Sequence, residues 1–181
     1  MNDTVLRLGD ADGSVTIRTD VAGRAARTGH RLTIGMQRWS ATVNWRHDQP
    51  VRLEATLATE ALQVRAGEGG LTPMTGAEKV LARTNALKSL HSGEFPGIAY
   101  ESTTLAPVAD GYRVDGTLTI LGHRRAHPLD LRVVDTADGH EVATETTIRQ
   151  TDFGIKPFSL MMGTLKVVDE VVVAITVRVP R

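Results

Sequence analysis

The chain has 181 residues, 41% of them hydrophobic and 4% aromatic, which is enough for one domain with a packed interior and too apolar for disorder. Lysine plus arginine and aspartate plus glutamate both number 21, with no long run of either sign, so the chain lacks the electrostatic footprint of a nucleic-acid-binding protein. The absence of cysteine excludes disulfides, thiol nucleophiles and thiolate metal sites, and no stretch reads as a membrane span.

Met1 to Arg7 lacks the basic start and apolar run of a signal peptide, which makes a cytoplasmic location the expectation. Gly13 to Thr19 alternates apolar with polar residues, and Leu32 to Met36 is compatible with a second strand. Trp39, Ala41, Val43 and Trp45 then alternate with Ser40, Thr42, Asn44 and Arg46, the cleanest two-residue period in the chain. Both tryptophans therefore share one face of one strand. After a turn at His47–Pro50, Val51, Leu53, Ala55 and Leu57 alternate on a returning strand. Arg65 to Gly70 reads as a flexible loop. Thr75 and Glu78 have capping-box spacing ahead of a helix near 75–90, whose rough apolar stripe is Val80, Leu81, Thr84, Leu87 and Leu90. From Phe95 to Arg181 the pattern is strand, turn, strand, with reversals at Ala109–Gly111 and Gly122. The last strand, Glu170 to Arg178, is largely apolar on both sides, and an exposed apolar face there would suggest a homodimer. The fold expected is all-β with one helix, a single domain over residues 1–181, formed as an antiparallel, roughly eight-stranded barrel. Eight strands can enclose one small ligand.

Four stretches carry a family resemblance. Phe95-Pro96-Gly97-Ile98-Ala99-Tyr100-Glu101-Ser102 leaves the helix much as "P-x-I-x-F-x-S" does, and Gly111 to Gly122 reads as "G-Y-x-V-x-G-x-L-T-I-x-G". Thr151-Asp152-Phe153-Gly154-Ile155 is close to an "S-D-F-G-I" corner, and Val167-Val168-Asp169-Glu170-Val171 to "V-x-D-E-V". In order and spacing these resemble the YceI-like family. The resemblance implies a lipocalin-like barrel that binds polyisoprenoid lipids, isoprenoid quinones among the cargoes to consider.

Catalytic motifs are lacking: there is no G-x-S-x-G, H-E-x-x-H or S-x-x-K. Asp152-Phe153-Gly154 spells a kinase tripeptide without its companion motifs, and reads as a turn in which Gly154 supplies an unusual backbone angle. His123 and His127 flank Arg124 and Arg125 in a hairpin, where their spacing does not converge and the arginines oppose a cation; exposed turn histidines are the better reading. No cofactor and no metal are expected.

The remaining candidates are apolar. Phe153, Phe158, Met161 and Met162 cluster within about ten residues with Ile155 and Leu160, fitting either an adaptable ligand lining or a plug at one end of the barrel. The Trp39, Val43 and Trp45 face fits core or pocket wall equally. Tyr100, Tyr112, Leu118 and Ile120 complete the expected ligand-binding set, with Arg38, Arg46, Tyr112 and Lys156 as groups that could orient a head group. Burying ~600 Å² of isoprenoid is worth roughly 15 kcal/mol gross, and ordering the tail offsets much of it. The function expected is non-catalytic binding and carriage of an isoprenoid or similar amphiphilic lipid. Two alternatives stand beside it: an interaction or structural barrel filled by side chains, which the low aromatic content fits, and an enzyme on a hydrophobic substrate that would need a pair such as His30 near Asp152.

Overall fold

A computed structural model describes residues 3–181. In chain order the strands are β1 (Asp3–Gly9), β2 (Gly13–Arg18), β3 (Val21–Ala22), β4 (His30–Met36), β5 (Trp39–Arg46), β6 (Gln49–Ala58) and β7 (Leu62–Gly69). The one α-helix, α1 (Gly76–Ser89), comes next. The remainder are β8 (Gly97–Val108), β9 (Gly111–Ile120), β10 (His123–Ala126), β11 (Leu129–Thr136), β12 (Gly139–Arg149), β13 (Ser159–Leu160), β14 (Leu165–Val167) and β15 (Glu170–Pro180). Among the described residues no helix is long and apolar enough to cross a membrane.

All-β with one helix is what the chain forms, but the closed, roughly eight-stranded barrel is corrected. Eleven antiparallel strands follow one another in a single strongly curled, half-barrel sheet, in the order β1-β5-β6-β8-β9-β11-β12-β15-β2-β4-β7, and β10 pairs with β9 beside that path. The count exceeds eight because three long runs are each broken in two. β1 lies along β5 while β2 lies along β4, and β5–β6 and β4–β7 are likewise successive pairings of two bent runs. The breaks fall at the turn between Gly9 and Gly13, at Gln37–Arg38 and at the 3-10 turn Thr59–Ala61.

The bends steer β7 away from β8, so β7 ends as an edge strand that pairs only with β4. Helix α1 covers that edge, as an uncovered edge would invite pairing with other chains. Its capping box is formed as expected: the Glu78 amide donates to Thr75 Oγ1 at 3.2 Å, and the Thr75 amide to Glu78 Oε2 at 2.6 Å. The apolar stripe forms only in part. Only its C-terminal half packs as such, with Leu87 and Leu90 against the core, while Val80 and Leu81 are 67% and 60% exposed and polar bonds hold the first turns. Lys79 Nζ donates to the Arg65 carbonyl at 3.0 Å, and Arg83 donates to the Leu62 and Glu60 carbonyls at 2.8 and 2.5 Å. Residues 65–69, expected as loop, extend β7.

A small second sheet, β13-β14-β3, forms a flap at one end of the molecule. Its β14–β3 pairing is extended at the two ends by the Val168 amide on the Asp20 carbonyl and the Ala25 amide on the Thr164 carbonyl, each at 2.9 Å. The hairpin turns β5–β6, β8–β9 and β11–β12 gather at the opposite end, near the C-terminus of β15. β15 lies inside the sheet, between β12 and β2.

Candidate functional site

The curled sheet encloses a cavity of about 510 Å³ that runs from the hairpin-turn end to the flap. Alternation decides which side chains reach it. Trp39, Ala41, Val43 and Trp45 of β5 point in, as do Val142, Thr144, Thr146 and Ile148 of β12 and alternate valines and Ile175 of β15. On β6 a bulge opposite Asn44/Trp45 lets Pro50 face inward beside Trp45, and turns Val51 out to 44% exposure. The helix contributes Ala82, Asn85, Ala86, Ser89 and Leu90, a face of small and weakly polar groups. No aspartate, glutamate, lysine or arginine lines the cavity among the described residues.

Of the eleven residues expected to contact ligand, eight line this cavity: Trp39, Val43, Trp45, Tyr100, Tyr112, Leu118, Ile120 and Phe158. Three do not. Phe153 is 2% exposed and packs with Ile155, Val114 and Leu129 inside the wall, the plug rather than the lining. Met161 and Met162 are 58% and 104% exposed on the hairpin between β13 and β14, so their side chains face solvent. The corner before them forms as expected: Gly154 has φ 71°, the left-handed region that glycine adopts without steric cost. Of the expected head-group ligands only Tyr112 lines the cavity. Arg38 is instead in an exposed ion pair with Glu60 at 3.1 Å.

The wall carries one polar cluster. Tyr100 lies across Gly116, where there is no side chain to displace it, and its hydroxyl donates to the His127 carbonyl at 3.0 Å. The His127 ring Nε2 is 2.8 Å from Thr146 Oγ1. Burial pushes the Tyr100 phenol up to about 12, reinforced by the carboxylate of Asp115. Burial likewise holds His127 below its ordinary range, so it is neutral at physiological pH. His127 is thus a half-buried wall residue and not the exposed turn histidine expected; nothing in the spacing of His123 and His127 distinguished them. His123 sits against Gly154 on the outside. His30, weighed as a partner for Asp152, instead bonds the Thr72 carbonyl at 2.9 Å. Two buried polar atoms, Trp39 Nε1 and Thr144 Oγ1, have no hydrogen-bond partner among the described residues. No group of three or more His, Asp or Glu side chains converges there either.

A half-barrel sheet wrapped round a largely apolar tunnel defines a class: a lipocalin-like scaffold with a helix over its open edge. Residues 12–179 match the YceI-like domain, and the chain belongs to that family, whose members are known as polyisoprenoid-binding, lipocalin-like and generally non-catalytic proteins. No curated protein matches the chain. Among solved structures, BcnA of Burkholderia cenocepacia superposes with a TM-score of 0.68 at 14% identity, over 92% of this chain and 96% of that one. A YceI protein of Campylobacter jejuni superposes with a TM-score of 0.61 at 14% identity, over 82% of this chain and 84% of the other. At such identity these likenesses speak for the fold alone.

Proposed function

We propose that this protein binds an isoprenoid or similar amphiphilic lipid non-covalently within the tunnel, and carries or sequesters it. The observation that supports this most is a cavity of about 510 Å³ whose wall, among the described residues, is mostly aliphatic and aromatic and carries no aspartate, glutamate, lysine or arginine. That size falls within the ~300–1,000 Å³ of ordinary small-ligand sites. An uncharged aliphatic wall rewards apolar area and gives a carboxylate, ammonium or phosphate no partner, so a charged head group belongs at a mouth. Trp39, Trp45, Tyr112 and Phe158 would supply the broad contact surfaces, and Val43, Leu118 and Ile120 the aliphatic ones. Tyr100 and His127 are polar groups of the wall whose hydrogen bonds are already taken up by the protein. The same cavity argues against the side-chain-filled barrel. An enzyme would need titratable groups converging on one bound atom, and the two histidines on the wall are engaged with Thr146 and Asp135.

Solvent extraction of the purified protein followed by mass spectrometry tests the reading, with an unrelated barrel as control. A stoichiometric polyprenyl or isoprenoid quinone species supports it. An empty extract, repeated after incubation with a lipid mixture, would reject it in favour of an interaction domain.

A further inference from the structure

The hairpin between β13 and β14 is built in a way the tunnel alone does not explain. Its inner side is part of the cavity: Phe158, just before β13, and Val167 of β14 both line it. Its tip does the opposite. Leu160, Met161 and Met162 are 48%, 58% and 104% exposed, and Met161 and Met162 have φ of 49° and 56°. Left-handed backbone at two successive non-glycine residues costs free energy and here holds two large apolar side chains out in water.

The charge around this tip is one-sided in a chain that is neutral overall. Residues 21–29 pack against the hairpin: Val21 and Ala22 pair with Val167 and Lys166, and Gly29 abuts Leu165. Together residues 21–29 and 153–168 contain Arg24, Arg27, Lys156 and Lys166 and no acidic residue. All four cations are exposed, and none is in an ion pair among the described residues. Acids resume only at the margins, with Asp20, Asp152 and Asp169, the last bonded to Thr151.

We infer that this hairpin and its basic collar dock the protein on an anionic lipid bilayer, with Met161 and Met162 entering the interface. An apolar tip ringed by cations carries the two signals that reversible membrane attachment requires. Docking there sets the flap over the bilayer and brings the tunnel's flap end, where Phe158 and Val167 lie, within reach of lipid. The inference extends the lipid-carrier reading and gives it a loading face.

The test is vesicle flotation of the purified protein, using phosphatidylcholine vesicles with and without phosphatidylglycerol, at low and near-physiological salt. The expected result is recruitment by the anionic vesicles that weakens as salt rises. Replacing Arg24, Arg27, Lys156 and Lys166 with Gln should weaken low-salt binding by about fivefold per charge removed. Met161→Ser with Met162→Ser should weaken it by about tenfold or more, since apolar area at the tip is then lost. Circular dichroism should be unchanged for both variants, because every altered side chain is exposed. Failure of anionic vesicles to recruit the protein, or binding by both variants equal to the parent, overturns the inference. Solvent extraction of the same samples separates the two readings. Cargo without vesicle binding removes the docking face alone; vesicle binding without cargo supports the docking face and counts against the carrier.

Discussion

Gly116→Ala is a small change that should have a large effect. A Cβ at this position would lie 2.5 Å from both Cζ and Oη of Tyr100 and 2.7 Å from the Glu101 carbonyl oxygen. Contacts under 3.0 Å are not tolerated, and the Glu101 oxygen belongs to backbone held in the β8–β9 ladder. The tyrosine ring must therefore move, although it is only 6% exposed and anchored to the His127 carbonyl. Overpacking a fitted wall costs ~1–3 kcal/mol, and a broken buried hydrogen bond adds about 1 kcal/mol. The expected loss is about 3 kcal/mol, which for a domain of this length lowers Tm by roughly 6–12 °C. Urea denaturation of Gly116→Ala, Tyr100→Leu and the double variant measures it. Because two of the three close contacts are with the Tyr100 side chain, the two changes should couple by about 1–2 kcal/mol. A loss below ~0.5 kcal/mol, or plain additivity, would refute the packing argument. The displaced ring has the cavity to turn into, so extracted lipid should fall in the same variant.

Ala55→Phe should act on binding with little effect on stability. Ala55 lines the cavity opposite Ala41 and Tyr100 in register, and a ring there that denies ~60 Å² of lipid burial loses roughly 1.5 kcal/mol, about tenfold in affinity. Lipid content per protein on extraction checks it. Thr144→Val removes a buried hydroxyl that has no partner and keeps the branched shape that suits β12, so stability should rise by about 1 kcal/mol in urea melts. For pH, His127 is held neutral by burial, so the unfolded state takes up a proton first as pH falls below 6.5. Stability should be full above that value and decline below it, and His127→Gln should flatten that part of the urea-midpoint profile. Arg83→Ala removes both bonds from the middle of α1 to the start of β7 and the 3-10 turn before it, and hydrogen exchange in α1 should speed up well before global unfolding.

Much of this fold can be read from the chain, and what cannot has identifiable physical causes. The two-residue period of β5 survives intact because all four of its apolar residues face one cavity, and the capping box survives because it is a local contact. The strand breaks were legible in principle but not from alternation within each run. Inward positions are even at Leu6 and Leu8 but odd at Val15 and Ile17. They are even at Ile34 and Met36 but odd at Trp39 and Ala41, and odd at Ala55 and Leu57 but even at Leu62. Each change of parity marks an inserted residue and therefore a bend. Read that way, the sequence contains the three breaks that turn long strands into a half-barrel. The helix misleads for a different reason. Its Val80 and Leu81 suggest a stripe buried along its whole length, whereas only Leu87 and Leu90 pack inward and Arg83 meets the carbonyls of Glu60 and Leu62 twenty or so residues back, a contact no periodicity reports. Met161 and Met162 mislead similarly: their composition suits a lining, and only the left-handed turn sends them outward.

The low aromatic content, which fits a narrow interior packed by small aliphatics, carries the opposite consequence in this architecture. The width of a curled sheet follows from the number and tilt of its strands and not from the side chains within it. Along β15 every inward position is valine or isoleucine, and along β12 they are Val142, Thr144, Thr146 and Ile148. Side chains this short leave open space in front of them, which large aromatics on the same positions would close. The aromatic residues that do point in, Trp39, Trp45, Tyr100, Tyr112 and Phe158, are too few to fill it. Branched aliphatics also keep the strands well formed without requiring contact across the middle. Apolar walls with nothing across the gap forfeit dispersion contacts, so this choice of small residues favours a tunnel that an apolar guest would stabilise.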